Sequence, residues 1–142
     1  MAASKINLDI SQVLNISCRR GDTVAIDITF RDTSNSNSII PIDTGYDFHM
    51  QVRADKSDDA SDTPLLSDVF SGSPVYGSID LDVTTSGANG ILKITIPDTA
   101  MRDIPAGRYK YDLQARQIAS ATTQTWVRGN IIVKEDVTHY AA

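Results

Sequence analysis

The chain has 142 residues, which suits a single domain, and 41% of them are hydrophobic, enough for a core that needs no disulfide or metal to support it. The formal net charge of −5 argues against a general nucleic-acid-binding protein, since such proteins need a basic surface to displace counterions. No apolar run is long enough to span a bilayer, and no signal peptide is visible at the start. We therefore expect a protein made in a cytoplasm that contacts neither membrane nor nucleic acid.

The N-terminal segment, residues 1–17, is too apolar for a tail that stays in solvent. Three of its apolar residues alternate, as they would in an extended strand: Ile6, Leu8 and Ile10. We interpret residues 1–17 as an N-terminal arm or a first strand, and residues 18–142 as the β-sandwich domain formed by the strands that follow. We expect residues 14–18 to join the chain's own sheet and the three alternating residues to make contacts between subunits.

Arg20-Gly21-Asp22 comes next, a tripeptide that binds cell-surface receptors when it lies at the tip of a mobile loop. Here it directly precedes an alternating strand that begins at Thr23 or Val24. Glycine permits a positive φ, and aspartate bonds its own backbone in turns. The sequence therefore favours a turn over an adhesion motif.

Five sets of residues alternate between apolar and polar side chains, which is the pattern of antiparallel strands with one face on a core and the other in water. Their core-facing members are Val24, Ile26, Ile28 and Phe30; Tyr46, Phe48, Met50 and Val52; Leu92, Ile94 and Ile96; Tyr109, Tyr111, Leu113 and Ala115; and Val127, Gly129, Ile131 and Val133. Weaker candidates are residues 8–18 and 75–83. A total of about seven or eight strands predicts an all-β, antiparallel sandwich with negligible helix.

Polar, turn-forming residues fill three predicted loops, at residues 32–38, 55–64 and 84–90. The third loop ends in Asn-Gly, a strong signal for a hairpin turn before the next strand. Residues 98–103 predict one short helical turn.

Candidate catalytic and metal-binding residues are few. The loop at residues 55–64 holds four aspartates but lacks the glycine and the distal glutamate of a calcium-binding helix-loop-helix, so we predict a solvated loop. The two histidines, His49 and His139, have no second ligand at metal-ligand spacing, and no nucleophile elbow or phosphate loop occurs. We therefore expect no catalytic residue, cofactor or metal. Cys18, the single cysteine, is predicted to be a small buried hydrophobe rather than a reactive thiol.

Three aromatic residues allow more than one interpretation. Tyr109 and Tyr111 follow a tight Pro-Ala-Gly turn, so they form either a tyrosine corner, in which a hydroxyl bonds nearby backbone, or a pair of core aromatics. The alternation places Trp126 on the face opposite Val127, where it would plug a sheet edge or lie in a subunit contact.

The order of the segments carries a family resemblance. R-G-D-T opens one strand, P-I-D-T-G-Y-D-F-H-M-Q-V-R forms the next, and the later segments are G-I-L-K-I-T-I-P, P-A-G-R-Y-K-Y-D-L-Q-A-R and G-N-I-I-V-K-E-D-V-T. Over residues 18–138 this series resembles the immunoglobulin-like β-sandwich module of tailed-bacteriophage structural proteins, among them baseplate, tail-fibre and head-associated proteins.

The resemblance implies a non-enzymatic virion structural protein of the tail, baseplate or fibre attachment. It would be made in the host cytoplasm and would assemble with other phage virion proteins and with copies of itself. Sheet edges and the N-terminal arm would provide the contacts, because an edge strand offers unpaired backbone groups. One alternative is a capsid decoration protein. Another is a carbohydrate- or receptor-binding module, for which Tyr76 and Tyr140 are the candidate exposed aromatics.

Overall fold

The computed structural model describes residues 11–32, 36–54, 65–68 and 76–135, and these are almost entirely β-structure. The strands are β1 (Gln12–Val13), β2 (Ile16–Arg19), β3 (Val24–Thr29), β4 (Arg31–Asp32), β5 (Ser38–Ile39), β6 (Tyr46–Ala54), β7 (Leu66–Ser67), β8 (Gly77–Ser78), β9 (Asp80–Asp82), β10 (Ile91–Ile96), β11 (Gly107–Gln117) and β12 (Thr122–Lys134). The helical elements are α1 (Asp98–Met101), where one short turn was predicted, and a 3-10 helix (Gly87–Asn89).

The strands form two main sheets that share one core. The larger sheet has seven strands in the order β1-β12-β11-β6-β7-β8, with β2 also beside β12, and the smaller sheet has the order β3-β10-β9. Ile94 of the smaller sheet and Met50 and Ile131 of the larger sheet belong to the same buried cluster. The space left between them is only about 10 Å³, which is smaller than a ligand needs.

This arrangement is an immunoglobulin-like β-sandwich, as predicted. Three adjacent strands of the larger sheet, β6, β11 and β12, correspond to C, F and G of that fold, and β3, β10 and β9 correspond to B, E and D. The Tyr109 hydroxyl donates a hydrogen bond to the Pro105 carbonyl oxygen at 2.6 Å, at the start of β11. Tyr109 therefore forms the tyrosine corner, one of the two interpretations that the sequence left open.

The five alternating sets are confirmed as the five longest strands, β3, β6, β10, β11 and β12. Their predicted inner faces are also confirmed, and Leu92, Ile94 and Leu113 are at most 1% exposed. Each such side chain contributes roughly 1.5–3 kcal/mol by leaving water, so burial of these faces is the main force that holds the sheets together.

Trp126 breaks the alternation, and its predicted position is wrong. Leu113 of β11 pairs with Val127. The next residue, Gln114, pairs with Thr125, which leaves Trp126 as the extra residue of a β-bulge. The bulge reverses the side on which the indole lies, so it packs edge-on against aromatic rings of the core, at centroid distances of 5.1, 5.3 and 5.7 Å from Phe30, Tyr46 and Phe48.

The N-terminal segment docks on the last strand. Both β1 and β2 pair with β12, and residues 14–18 join the chain's own sheet as predicted. The pairing is parallel, which corrects the wholly antiparallel expectation. No tight turn joins β2 to β12, because most of the chain lies between them, and a parallel pair is therefore possible. The boundary drawn between residues 17 and 18 lies inside β2, and residues 1–10 are outside the described residues.

Leu14 is the point at which this segment is held. Its N–H donates to the Arg128 carbonyl oxygen at 2.9 Å, and its carbonyl oxygen accepts a 2.5 Å hydrogen bond from the Tyr111 hydroxyl. A Cβ on Gly129 would lie 2.2 Å from the same carbonyl oxygen, so only glycine permits this approach. Tyr111 is thus a core aromatic whose hydroxyl fixes the N-terminal segment.

We expect Tyr111→Phe to lower the free energy of unfolding by about 1–2 kcal/mol, because the Leu14 carbonyl loses a short hydrogen bond. Chemical denaturation measures the loss, and hydrogen exchange locates it at the amides of β2. Tyr109→Phe is the control, since it breaks the corner bond to Pro105 but leaves Leu14 held. Equal exchange at β2 in both variants would contradict the role given to Tyr111.

Tyr111 also predicts an alkaline loss of stability. Burial raises its pKa to about 12 in the folded protein, against about 10 for an unfolded tyrosine. A raised folded pKa means that the contribution is complete below about pH 10 and is lost as the pH rises through about 12. The free energy of unfolding of the parent should therefore fall more steeply over this window than that of Tyr111→Phe, as denaturation at a series of pH values will measure.

The connections follow the prediction only in part. The loop at residues 84–90 joins the antiparallel strands β9 and β10, but it is longer than a two-residue turn. Asp82 begins it by accepting hydrogen bonds from Thr84 and Thr85; the Thr85 hydroxyl, then the Thr84 hydroxyl and both backbone N–H groups, lower the pKa of Asp82 to about 2. Gly90 ends it with a φ of 76°. In the predicted loop at residues 32–38, β4 and β5 pair as a hairpin whose residues 33–35 are outside the described residues.

Candidate interaction surfaces

The first candidate surface is the free edge of β3, called here the β3 edge (Val24–Thr29). β3 pairs with β10 on one side, and no strand of the described part of the chain lies on its other side. Backbone N–H and C=O groups along such an edge are available to an added strand. Its outward side chains include Asp27, which forms a 3.2 Å ion pair with Lys93 directly opposite on β10.

The β3 edge lies on the same side of the sandwich as the N-terminal segment. Phe30, directly after β3, packs against Trp126 of β12, and β12 is the strand that carries β1 and β2. Ile16 of β2 and Val24 of β3 line the same small gap between the sheets. The described chain therefore begins, at Ser11, near the edge that has no strand beside it.

The second candidate surface is a broad open groove of about 1040 Å³ on the outward face of the larger sheet, called here the outer groove. Three strands supply its floor, and the segment before β2 supplies one wall. The lining residues used below are His49, Gln51, Arg53, Lys110, Asp112, Gln114, Thr125, Arg128 and Asn130, with Ser11, Val13 and Asn15 in the wall.

The outer groove is more basic than the rest of the protein. It contains Arg53, Lys110 and Arg128 and only one carboxylate, Asp112, in a chain with 13 basic and 18 acidic residues. Lys110 and Arg53 are directly opposite each other across β11 and β6. Desolvation raises the pKa of Asp112, and the nearby charge of Arg53 opposes that rise.

Side chains of the groove are held in place by polar contacts. Arg53 donates to the Gln51 side-chain oxygen at 2.9 Å, and Arg128 Nε donates to the Ser11 hydroxyl at 2.9 Å. The Asn15 side-chain oxygen accepts a hydrogen bond from the backbone N–H of Asn130 at 3.1 Å. These contacts orient basic groups towards an open, polar surface. The sequence placed these residues on polar faces but held no signal that three separate strands would bring them together.

His49 lies at one end of the groove, on the polar face as predicted, with 44% of its side chain exposed. Its Nδ1 is 3.3 Å from Asp68 Oδ2, while the other oxygen of Asp68 accepts a hydrogen bond from the backbone N–H of Met50 at 2.6 Å. The Asp68 carboxylate therefore links the end of β7 to β6. A histidine beside a carboxylate is two thirds of a catalytic triad, but this pair has a structural task that explains its geometry.

Arg20-Gly21-Asp22 forms the predicted turn. Gly21 has a φ of 87°, and the Asp22 N–H donates to the Arg19 carbonyl oxygen at 3.2 Å. The Arg20 side chain is bound to the protein: its Nε donates to the Arg102 carbonyl oxygen at 2.9 Å, and it forms a 3.4 Å ion pair with Glu135. The arginine is thus folded back onto the domain rather than presented at a loop tip.

Cys18 is half-buried against the core, and burial, followed by the charge of Asp22, raises the pKa of its thiol. A raised thiol pKa lowers the fraction of reactive thiolate, in agreement with the predicted packing role. Among the described residues no group of three or more histidine, cysteine or acidic side chains is arranged to hold a metal ion. No helix in the described part of the chain has the length and apolar character to span a membrane.

The four predicted subunit-contact residues are thus separated. Trp126 belongs to the aromatic cluster of its own core. Ile6, Leu8 and Ile10 lie outside the described residues, as do the four aspartates of residues 55–64, and the expectations about them stay predictions.

Comparison with known proteins yields little beyond the fold. No protein-family model matches the chain, and no curated protein matches it. Among solved structures, one similar to it is that of the NK cell receptor Nkp44, described as a triggering partner in natural cytotoxicity, with a TM-score of 0.41 and 15% identity over 87% of this chain and 98% of that one. A likeness this weak is not evidence of a shared activity.

Proposed function

We propose that this protein is a non-enzymatic structural component of a bacteriophage virion, on the tail, baseplate or fibre-attachment side, and that it acts by binding other virion proteins. The observation that carries the binding role is the β3 edge, a strand with no neighbour on one side in the described chain. The virion assignment is supported by the order of segments that resembles phage immunoglobulin-like modules.

Strand addition is the proposed mode of attachment. Residues 1–10 contain the alternating Ile6, Leu8 and Ile10, and the described chain begins close to the β3 edge. Main-chain hydrogen bonds to the β3 edge of a neighbouring subunit would provide affinity, and the alternate apolar side chains would provide register. The partners are therefore copies of this chain and other virion proteins.

Purified particles test the proposal directly. Quantitative mass spectrometry of gradient-purified phage particles should find the protein at a fixed copy number, and immunogold labelling should place it on the tail. Label on the head would favour the alternative of a capsid decoration protein. Absence from particles, with abundant protein in the lysate, would contradict the virion role.

A carbohydrate- or receptor-binding module has less support. Of its two candidate aromatics, Tyr76 packs against the core cluster, and Tyr140 lies outside the described residues. Sugar-binding sites favour exposed aromatic faces, and the outer groove is lined mainly by charged and amide side chains. Specific binding on a glycan array would favour this function over assembly.

A further inference from the structure

The outer groove has a charge opposite to that of the protein as a whole. Three of its four residues with a fixed charge are basic, although acidic residues outnumber basic ones in the chain. An acidic protein that gathers basic side chains on one sheet face attracts an anionic partner to that face and repels it elsewhere.

Two of these cations are placed at a cost. Lys110 and Arg53 are directly opposite each other on adjacent antiparallel strands. Like charges in this position destabilise a sheet. An anionic group bound between or above them removes that repulsion, so the pair favours the occupied groove over the empty one.

The shape of the groove selects an extended ligand. It is open and crosses three strands, and its basic groups come from each of them: Arg53 on β6, Lys110 on β11 and Arg128 on β12. Between them lie amide and hydroxyl side chains, among them Gln51, Gln114 and Thr125, which donate to and accept from peptide groups. A single small anion would contact only a part of this surface.

We propose that the outer groove binds an extended, acidic segment of a partner protein, with glutamate or aspartate carboxylates seated on Arg53, Lys110 and Arg128. This inference rests on the proposed assembly function and names the chemistry of one partner. A nucleic acid is disfavoured because the net charge of −5 repels a long polyanion.

Titration with a hexaglutamate peptide tests the proposal, followed by the amide chemical shifts of the protein, with hexaserine as the uncharged control. Hexaglutamate should saturate shifts at Gln51, Asp112 and Arg128, and about 0.5 M salt should abolish them. The double variant Lys110→Gln/Arg128→Gln should bind about tenfold more weakly, since two partly exposed charge contacts are removed. Lys93→Gln/Arg102→Gln, which makes the same charge change outside the groove, should bind as the parent does.

The groove variant should melt close to the parent temperature, because it also removes a like-charge contact. If it melts lower, Lys110→Gln alone carries the binding test. Undiminished binding by the groove variant, or shifts centred on another face, would overturn the assignment. Tighter binding of a single-stranded DNA of equal charge would overturn the choice of a protein segment. Any of these results would leave attachment through residues 1–10 standing, because deletion of the arm tests that separately.

Discussion

Leu113→Asp is expected to abolish folding. Leu113 is 0% exposed at the centre of β11, between β6 and β12, so the variant buries a carboxylate with no partner. That costs several kcal/mol, against a total stability of about 5–15 kcal/mol for a domain. Ile94→Asp, on the facing sheet at 1% exposed, should have the same effect.

The next residue along β11 supplies the matched control. Gln114 is exposed and points to the outer groove, so Gln114→Asp introduces the same side chain on the other face of the same strand. Circular dichroism and thermal melting should show an unfolded or insoluble Leu113→Asp and a folded Gln114→Asp. A soluble Leu113→Asp with unchanged melting would mean that the inner face of β11 has been assigned wrongly.

Deletion of residues 1–10 is expected to leave a folded domain that no longer joins the particle. The ladder of the larger sheet begins at Gln12, and the bonds that hold Leu14 are retained, so the described fold keeps its contacts. What is lost is the proposed added strand. Thermal melting measures the fold, and co-sedimentation with particles measures assembly.

Substitutions within the arm separate its side chains from its length. Replacement of Ile6, Leu8 and Ile10 by serine should prevent assembly, whereas serine at the intervening Asn7 and Asp9 should not. An unfolded deletion variant would show that the arm is an ordinary core strand of its own subunit. A deletion variant that folds and still assembles would place the attachment surface elsewhere.

The sequence by itself determined the strands and their inner faces. Alternation between apolar and polar residues is a property of neighbours in the chain, and each half-buried strand repeats it whatever lies beside it. For this reason β6, β10 and β11 and their buried residues could be predicted before any contact was known. The tyrosine corner was recognisable for the same reason, since Tyr109 bonds Pro105 only four residues away.

Only the tertiary structure decided where Trp126 lies, how the N-terminal segment docks and where the basic residues gather. The bulge at Trp126 arises from its pairing with β11, and one extra residue reverses the face that alternation assigns. The Tyr111 hydroxyl and the Leu14 carbonyl are separated by 97 residues, and the fit also needs a glycine at position 129. The outer groove likewise combines three strands from distant parts of the chain, because hydrogen-bonded register, rather than proximity in sequence, sets which side chains become neighbours across a sheet.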